Sequence, residues 1–201
     1  AGVDIIPNSP QYSNSDLSII KMRNSKRILS KMIEEEKLKD DYDFILIDCP
    51  PSQSITTLNA LAASDSIIIT MEPSLFNMEW LKNLTKTINY IKKTFNKKLK
   101  VEGIVLTRVD SRTKLSEAFR KEISENYPYR VFDTEIHQSS IIVRSQMNGL
   151  PVSLYDPKSK STIEYRNLTK EVLENNINRR DYILSMLRNK DIVRKEEIKI
   201  G

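Results

Sequence analysis

The residues with the sharpest chemical reading are Asp48-Cys49-Pro50-Pro51-Ser52, which follow the apolar run Phe44-Ile45-Leu46-Ile47. A hydrophobic strand that ends in an acid puts a carboxylate at the C-terminal edge of a parallel sheet, where open α/β folds bind ligands. In nucleotide hydrolases such an acid holds Mg²⁺, usually through water, beside the phosphates. Two successive prolines remove two N–H donors and stiffen the chain. A stiff segment beside a γ-phosphate can act as a switch, because a local shift is passed to whatever packs against it. A strand ending in an acid is common by itself. The five-residue run followed by a helix is far more specific.

Other reactive side chains have blander readings. His137 is the only histidine and has no Asp-Ser or Cys partner pattern nearby, so it reads as structural or surface. Cys49, between an apolar strand and two prolines, reads as a buried, inert thiol. One Cys and one His leave no zinc site of the usual kind, and a single cysteine fits a reducing cytosol. Trp80 lies off the main stripe of its helix and either covers a neighbouring helix or meets a partner. Asp110 and Arg112 read as plain loop residues or as nucleotide-proximal ones. The four glycines (Gly2, Gly103, Gly149, Gly201) are scattered. A phosphate loop needs clustered glycines to wrap a phosphate with bare N–H groups, so none is expected within this chain. The first residue is Ala, which reads as a fragment or a processed product.

The elements that must position these residues follow from periodicity. Strands are expected at 3–7, 43–48, 66–70, 103–107, 131–136 and 152–155. The run at 43–48 reads as a strand buried on both faces. A helix is expected from Ser15 or Asp16 to about Lys39, with Leu17, Ile20, Ile28, Met32 and Ile33 as its apolar positions. Further helices are expected at 56–63, 75–95, 115–126, 139–147 and 162–175. The stripe Leu75, Met78, Leu81, Leu84, Ile88, Ile91, Phe95 marks the clearest of them. Asn148-Gly149 closes the helix before it, and Ile163, Leu168 and Val172 face inward in the last. Alternating apolar strands and helices imply an α/β fold, a mostly parallel sheet covered by helices on both faces.

The 201 residues are 39% hydrophobic and 29% charged, enough for one domain with a core. Residues 1–175 read as one unit and 176–201 as a charged, helical tail. No apolar run reaches the ~20 residues of a membrane span, and no signal peptide is visible. The net charge is +5, of which the tail holds +3. The body, near +2, makes a weak case for a nucleic-acid surface. Ile183, Met186 and Leu187 form too short an apolar stripe for a membrane-surface helix.

Asp41-Tyr-Asp-Phe-Ile-Leu-Ile-Asp-Cys-Pro-Pro-Ser52, Thr57-Leu-Asn-Ala-Leu61 and Ala63-Ser-Asp65 resemble the ParA/Soj partition ATPases, of the deviant Walker A group of phosphate-loop NTPases. The resemblance continues through Leu75–Phe95, Val101–Thr107, Asp110-Ser-Arg-Thr113 and Tyr155-Asp-Pro-Lys-Ser159, and so covers about 1–175. It implies a three-layer, Rossmann-like fold. The family's first strand, lysine-bearing phosphate loop and first switch precede the matching region, so their strands are expected to be absent from this chain. By resemblance Asp48 is the Walker B acid that holds Mg²⁺ through water. Cys49, Pro50, Pro51 and Ser52 form the second switch. Thr107, Asp110 and Arg112, with Tyr155, Asp156 and Pro157, face the nucleobase.

The resemblance further implies ATP and Mg²⁺ as cofactors, a homodimer, a ParB-type partner that triggers hydrolysis, and DNA bound without sequence preference. It implies a cytoplasmic, nucleoid-associated protein with no membrane step. The chain departs from the family at Ile136-His-Gln-Ser139, at Ile142-Val-Arg-Ser145 and at Ser161, where members carry glycine. Arg144, Lys158, Lys160 and Arg166 are stand-in DNA contacts, none matching residue for residue. Two further expectations follow. The chain alone does not hydrolyse ATP, lacking the groups that grip the triphosphate, and the 43–48 strand presents an unpaired apolar edge. The competing reading is a truncated, non-enzymatic interaction module of the same fold.

Overall fold

The computed structural model describes residues 3–7, 15–50, 52 and 54–175. The tail at 176–201 and Pro51 lie outside the described residues. The described residues within Ala1–Ile67 and Trp80–Lys100 form one compact unit, and those within Ile68–Glu79 and Val101–Gly201 another.

In the first unit, the single long helix expected from residue 15 is three short ones: α1 (Ser15–Ile20), α2 (Ile28–Glu35) and α3 (Leu38–Asp41). The breaks fall where Asn24 and Lys37 adopt left-handed backbone, with φ of 58° and 51°. Left-handed residues cannot continue a right-handed helix. Only Ile33 of α2 is buried, while Ile20 and Met32 are exposed, contrary to the apolar stripe read there. α2 packs on α4 (Ile55–Ala63), whose Ile55, Ala60, Leu61 and Ala62 are buried. Leu81, Leu84, Ile88 and Ile91 of α5 (Leu75–Thr94) are buried as their spacing predicts.

The expected strands at 3–7 and 43–48 do not form. Both stretches lack strand pairing, and Ile6 and Leu46 are 90% and 89% exposed. Tyr42 Oη donates to Asp4 Oδ2 at 2.7 Å, so a side chain rather than a ladder joins these two stretches. An apolar sequence becomes a buried strand only where another strand satisfies its N–H and C=O groups. Among the described residues none does.

The sheet is three-stranded, in the order β1 (Ser66–Met71), β2 (Lys100–Val109), β3 (Ile136–His137), with β3 parallel to β2. β2 is longer than its 103–107 core implied, and Ile104, Val105 and Leu106 are buried almost completely. Helices α6 (Leu115–Asn126), α7 (Ser140–Met147) and α9 (Lys160–Asn175) stand where periodicity put them. Gly149 supplies the left-handed turn after α7 at φ 63°. In the second unit, Val105, Phe132 and Ile136 form a buried cluster, and Ile142, Leu168 and Val172 pack against it. Ile163, read as inward, is 49% exposed.

Two strand expectations here are corrected. Residues 131–136 give only one parallel bridge, Ile104 to Val131, before β3 begins at Ile136. The backbone between them is taken by a side chain instead. Glu171 Oε1 accepts from Asp133 N at 2.7 Å and Oε2 from Thr134 N at 3.0 Å. Residues 152–155 form one helical turn, α8 (Val152–Tyr155), because Pro151 presents its carbonyl to Leu154 N and Tyr155 N, both at 2.9 Å.

The exposure of Leu46 in the 43–48 stretch has a measurable consequence, since exposed apolar side chains drive association. Leu46→Lys, a charge placed on that stretch, is expected to shift the purified 201-residue chain toward monomer in sedimentation velocity. An unchanged distribution would show that another surface governs association.

Candidate functional site

Asp48, Cys49, Pro50 and Ser52 are exposed and precede α4 in the chain. Exposure overturns the expectation of a buried Cys49. Partial desolvation by the surrounding chain, with the neighbouring Asp48 charge, still pushes the Cys49 thiol up from its ordinary range. It therefore stays protonated and weakly nucleophilic at neutral pH. The end of the segment is tied to the helix that follows. Thr57 Oγ1 donates to Ser52 O at 2.8 Å, and Ser54 Oγ accepts from Thr57 N at 3.2 Å as the helix N-cap. Ser52 is thus fixed at one end of α4 while the Asp48 carboxylate stays open to solvent.

Asn59 anchors that helix in turn. It is 5% exposed, and its side-chain amide is fully engaged. Oδ1 accepts from Ile28 N at 2.9 Å and Leu29 N at 3.3 Å. Nδ2 donates to Ser25 O at 2.6 Å and Ile55 O at 2.9 Å. Ile28 and Leu29 are the first two amides of α2, whose own N-cap residue Arg27 makes no side-chain capping bond. Asn59 therefore caps α2 from α4. At the other end of α4, Asn96 Nδ2 donates to Leu61 O and Ser64 O at 3.2 and 2.6 Å. Sequence reasoning missed Asn59. Its signal was a lone amide in the otherwise apolar run Leu58–Ala62.

In the second unit, β2 ends in a bulge. Thr107 pairs with Ile136 and Val109 with His137, so Arg108 is the extra residue, and its backbone is left-handed at φ 52°. Arg108 Nε meets Glu72 Oε1 at 2.8 Å. The next loop closes on itself. The Arg112 guanidinium grips the Asp110 carboxylate through Nε to Oδ1 at 2.9 Å and Nη2 to Oδ2 at 2.7 Å, and Arg112 N donates to Oδ1 at 3.0 Å. Those hydrogen bonds, from side chain first and backbone second, hold the Asp110 carboxyl at about 2. Each of the two groups sequence reasoning singled out is thus engaged by the other.

The Tyr155-Asp156-Pro157 loop starts a helix. Asp156 Oδ1 accepts from Lys158 N at 3.2 Å, and Asp156 O accepts from Ser159 Oγ at 2.9 Å and Thr162 Oγ1 at 2.7 Å. Ser159 Oγ accepts from Thr162 N at 3.2 Å. Ser161, where relatives of the resembled family carry glycine, is buried in the first turn of α9. Arg144, Lys158, Lys160 and Arg166 are all exposed. Lys160 Nζ lies 3.6 Å from Glu164 Oε1, and six residues place Lys160 and Arg166 about 120° apart around α9.

His137 takes the structural role read for it, as the partner of a buried acid. Its Nδ1 lies 2.7 Å from Glu164 Oε1, and its backbone N donates to Oε2 at 3.1 Å. Glu164 joins β3 to α9, and Glu171 joins the same helix to residues 133–134. Burial opposes ionisation of Glu171, yet the Asp133 and Thr134 amides, the Thr134 hydroxyl and the Arg130 guanidinium (Nη2 at 2.8 Å) outweigh it and lower its carboxyl. Neither acid was singled out from sequence, because each reads as an ordinary helix-surface glutamate. Among the described residues no three His, Cys, Asp or Glu side chains form a metal-binding group, and no helix is long and apolar enough to cross a membrane.

Residues 1–101 match the AAA domain family. Sporulation initiation inhibitor protein Soj of Bacillus subtilis is 33% identical over 173 residues, covering 86% of this chain and 68% of that protein. The chain belongs to the ParA/Soj partition ATPase family. Chromosome partitioning protein ParA of Myxococcus xanthus is 33% identical over 172 residues, 86% of this chain and 60% of that protein. The chain thus spans 60–68% of the length of these relatives. Among solved structures, cobyrinic acid a,c-diamide synthase of Mycobacterium smegmatis has a TM-score of 0.63 and 25% identity, over 77% of this chain and 55% of that one. That synthase has also been solved with an ATP analogue and magnesium, at a TM-score of 0.59, 22% identity and coverage of 69% and 61%. These likenesses bear out the α/β fold expected of a ParA/Soj member.

The Asp110–Arg112 pair gives a clear pH expectation. A carboxyl lowered in the folded state supports it above the ordinary pKa of 3.8 and loses that support as pH falls through about 2. In Arg112→Ala, which removes the guanidinium and keeps the backbone N–H, the Asp110 carboxyl is expected to rise from about 2 part of the way toward 3.8 by carbon-detected NMR. A titration still centred near 2 would assign the shift to another cause.

Proposed function

We propose that this chain is the greater part of a ParA-type partition ATPase, in which ATP joins two subunits and the joined form binds DNA under control of a ParB-type partner. Family membership carries this reading, and the Asp48–Ser52 segment ahead of a doubly anchored α4 is what it acts through. The donor set fits the cation. Mg²⁺ prefers oxygen ligands and takes one or two carboxylates with substrate phosphates and water, and Asp48 offers one open carboxylate. When bound, Mg-ATP supplies the phosphoryl group to be transferred and a metal that neutralises its charge. Asp48 would hold the cation, through water. Cys49 through Ser52 form the second switch, and the Thr57–Ser52 bond passes its displacement into α4. Thr107, Asp110 and Arg112 with Tyr155, Asp156 and Pro157 border the nucleobase, while Arg144, Lys158, Lys160 and Arg166 add positive charge for DNA. The protein works in the cytoplasm, at the nucleoid.

By itself the 201-residue chain lacks a glycine-clustered phosphate loop, so it does not hydrolyse ATP. The test measures phosphate release from Mg-ATP by the product of the complete reading frame, by its Asp48→Asn variant and by the 201-residue chain. The complete product is expected to turn over. Asp48→Asn is expected to lose roughly 10²–10³-fold, the scale of one preorganised electrostatic group. The 201-residue chain is expected to release none above background. Hydrolysis by the chain alone, or full activity in Asp48→Asn, would overturn the reading.

A further inference from the structure

Glu164 uses one nitrogen of the His137 ring and leaves the other. Its Oε1 lies 2.7 Å from His137 Nδ1, and its Oε2 accepts from His137 N at 3.1 Å, so one buried carboxylate fixes both ring and backbone. An imidazole nitrogen that faces a carboxylate carries the proton, which makes the other nitrogen an acceptor. Among the described residues no group takes Nε2, and the side chain is 23% exposed. Lys160 Nζ, 3.6 Å from Glu164 Oε1, is a second cationic group on the same carboxylate.

Strand pairing puts this ring at the carboxyl edge of the sheet. His137 is the last residue of β3 and pairs with Val109, the last residue of β2, just past the Arg108 bulge. Gln138 N donates to Val109 O at 3.1 Å and prolongs the pairing. Ligands of open α/β sheets bind outside that edge. Asp110 and Arg112 follow Val109 directly, so β2 ties His137 to their loop. α9 ties it to the Tyr155–Pro157 loop, because Asp156 O accepts from Thr162 Oγ1 at 2.7 Å, two residues before Glu164. The acids of the two loops are already engaged, Asp110 by Arg112 and Asp156 Oδ1 by Lys158 N. The His137 ring, tied to both loops, still has an acceptor to offer.

We infer that His137 Nε2 accepts a hydrogen bond from the exocyclic amine of the bound nucleobase, and so selects a 6-aminopurine over its 6-oxo counterpart. A 6-oxo oxygen would set one lone pair against another. Glu164 is the positioning residue, holding the ring in the tautomer that leaves Nε2 bare. The presence of a nucleotide rests on the partition-ATPase reading. The role of His137 does not follow from family membership, since the residue falls within Ile136–Ser139, where the chain departs from the family.

The test is competition of ATP, ITP and purine riboside triphosphate against a ribose-labelled fluorescent ATP, with Mg²⁺, on the product of the complete reading frame and on its His137→Leu variant. ITP carries oxygen in place of the 6-amino group, and purine riboside triphosphate lacks the group. The unaltered protein is expected to bind ATP about three- to tenfold more tightly than either, the worth of one neutral hydrogen bond. His137→Leu is expected to bring the three within about twofold of one another, by weakening ATP while leaving the other two in place. A purely structural role for His137 would weaken all three alike and keep the preference. Equal binding of the three by the unaltered protein, which needs no variant to fold, would overturn the inference, and so would an unchanged preference in His137→Leu. A complete product that binds none of the three would overturn the partition-ATPase reading and this inference together.

Discussion

A buried amide must satisfy every hydrogen-bonding group it carries, and Asn59 does so by joining pieces of chain that would otherwise be separate. Four bonds leave its side chain, two to the opening amides of α2, one to the Ser25 carbonyl and one within α4. An unsatisfied buried polar group costs about 1–3 kcal/mol, so loss of the amide is felt by α2 and α4 together. The consequence reaches the proposed switch. Ser52 is fixed to α4 by Thr57, and α4 is fixed to the Ser25–Leu29 turn by Asn59. Displacement of Asp48–Ser52 then has a mechanical route into the basic turn at Lys21–Arg27.

The second unit solves the same problem with charge. Two glutamates of α9 reach back to the sheet. Glu164 takes the His137 amide and ring, and Glu171 takes two amides that would otherwise continue a strand. Charged acceptors make stronger bonds than neutral ones, which suits places where a short strand offers few ladder bonds. These contacts set the position of α9, and with it the Tyr155–Ser159 turn that starts it.

What the sequence revealed depended on how local the cause was. Leu81, Leu84, Ile88 and Ile91 of α5 and the apolar run of β2 answer to periodicity alone and are buried as read. The 43–48 run was as apolar as β2, yet it forms no strand, because burial of a strand is decided by a neighbour in space rather than by its own composition. Residues 152–155 carried strand-like residues, but Pro151 fixed a turn. The 131–136 strand was cut short by Glu171, some forty positions away. Asp48 was singled out from its place at the end of an apolar run, while Asn59, Glu164 and Glu171 were not. Their roles exist only once the helices are placed.

The central claim, that Asn59 caps α2 from within α4, is tested most directly by amide hydrogen exchange at single-residue resolution. In Asn59→Ala the Ile28 and Leu29 amides are predicted to lose protection, while amides within the second unit, such as Phe132, keep theirs. Unchanged protection at Ile28 and Leu29 would contradict the account, since another group would then be satisfying those donors.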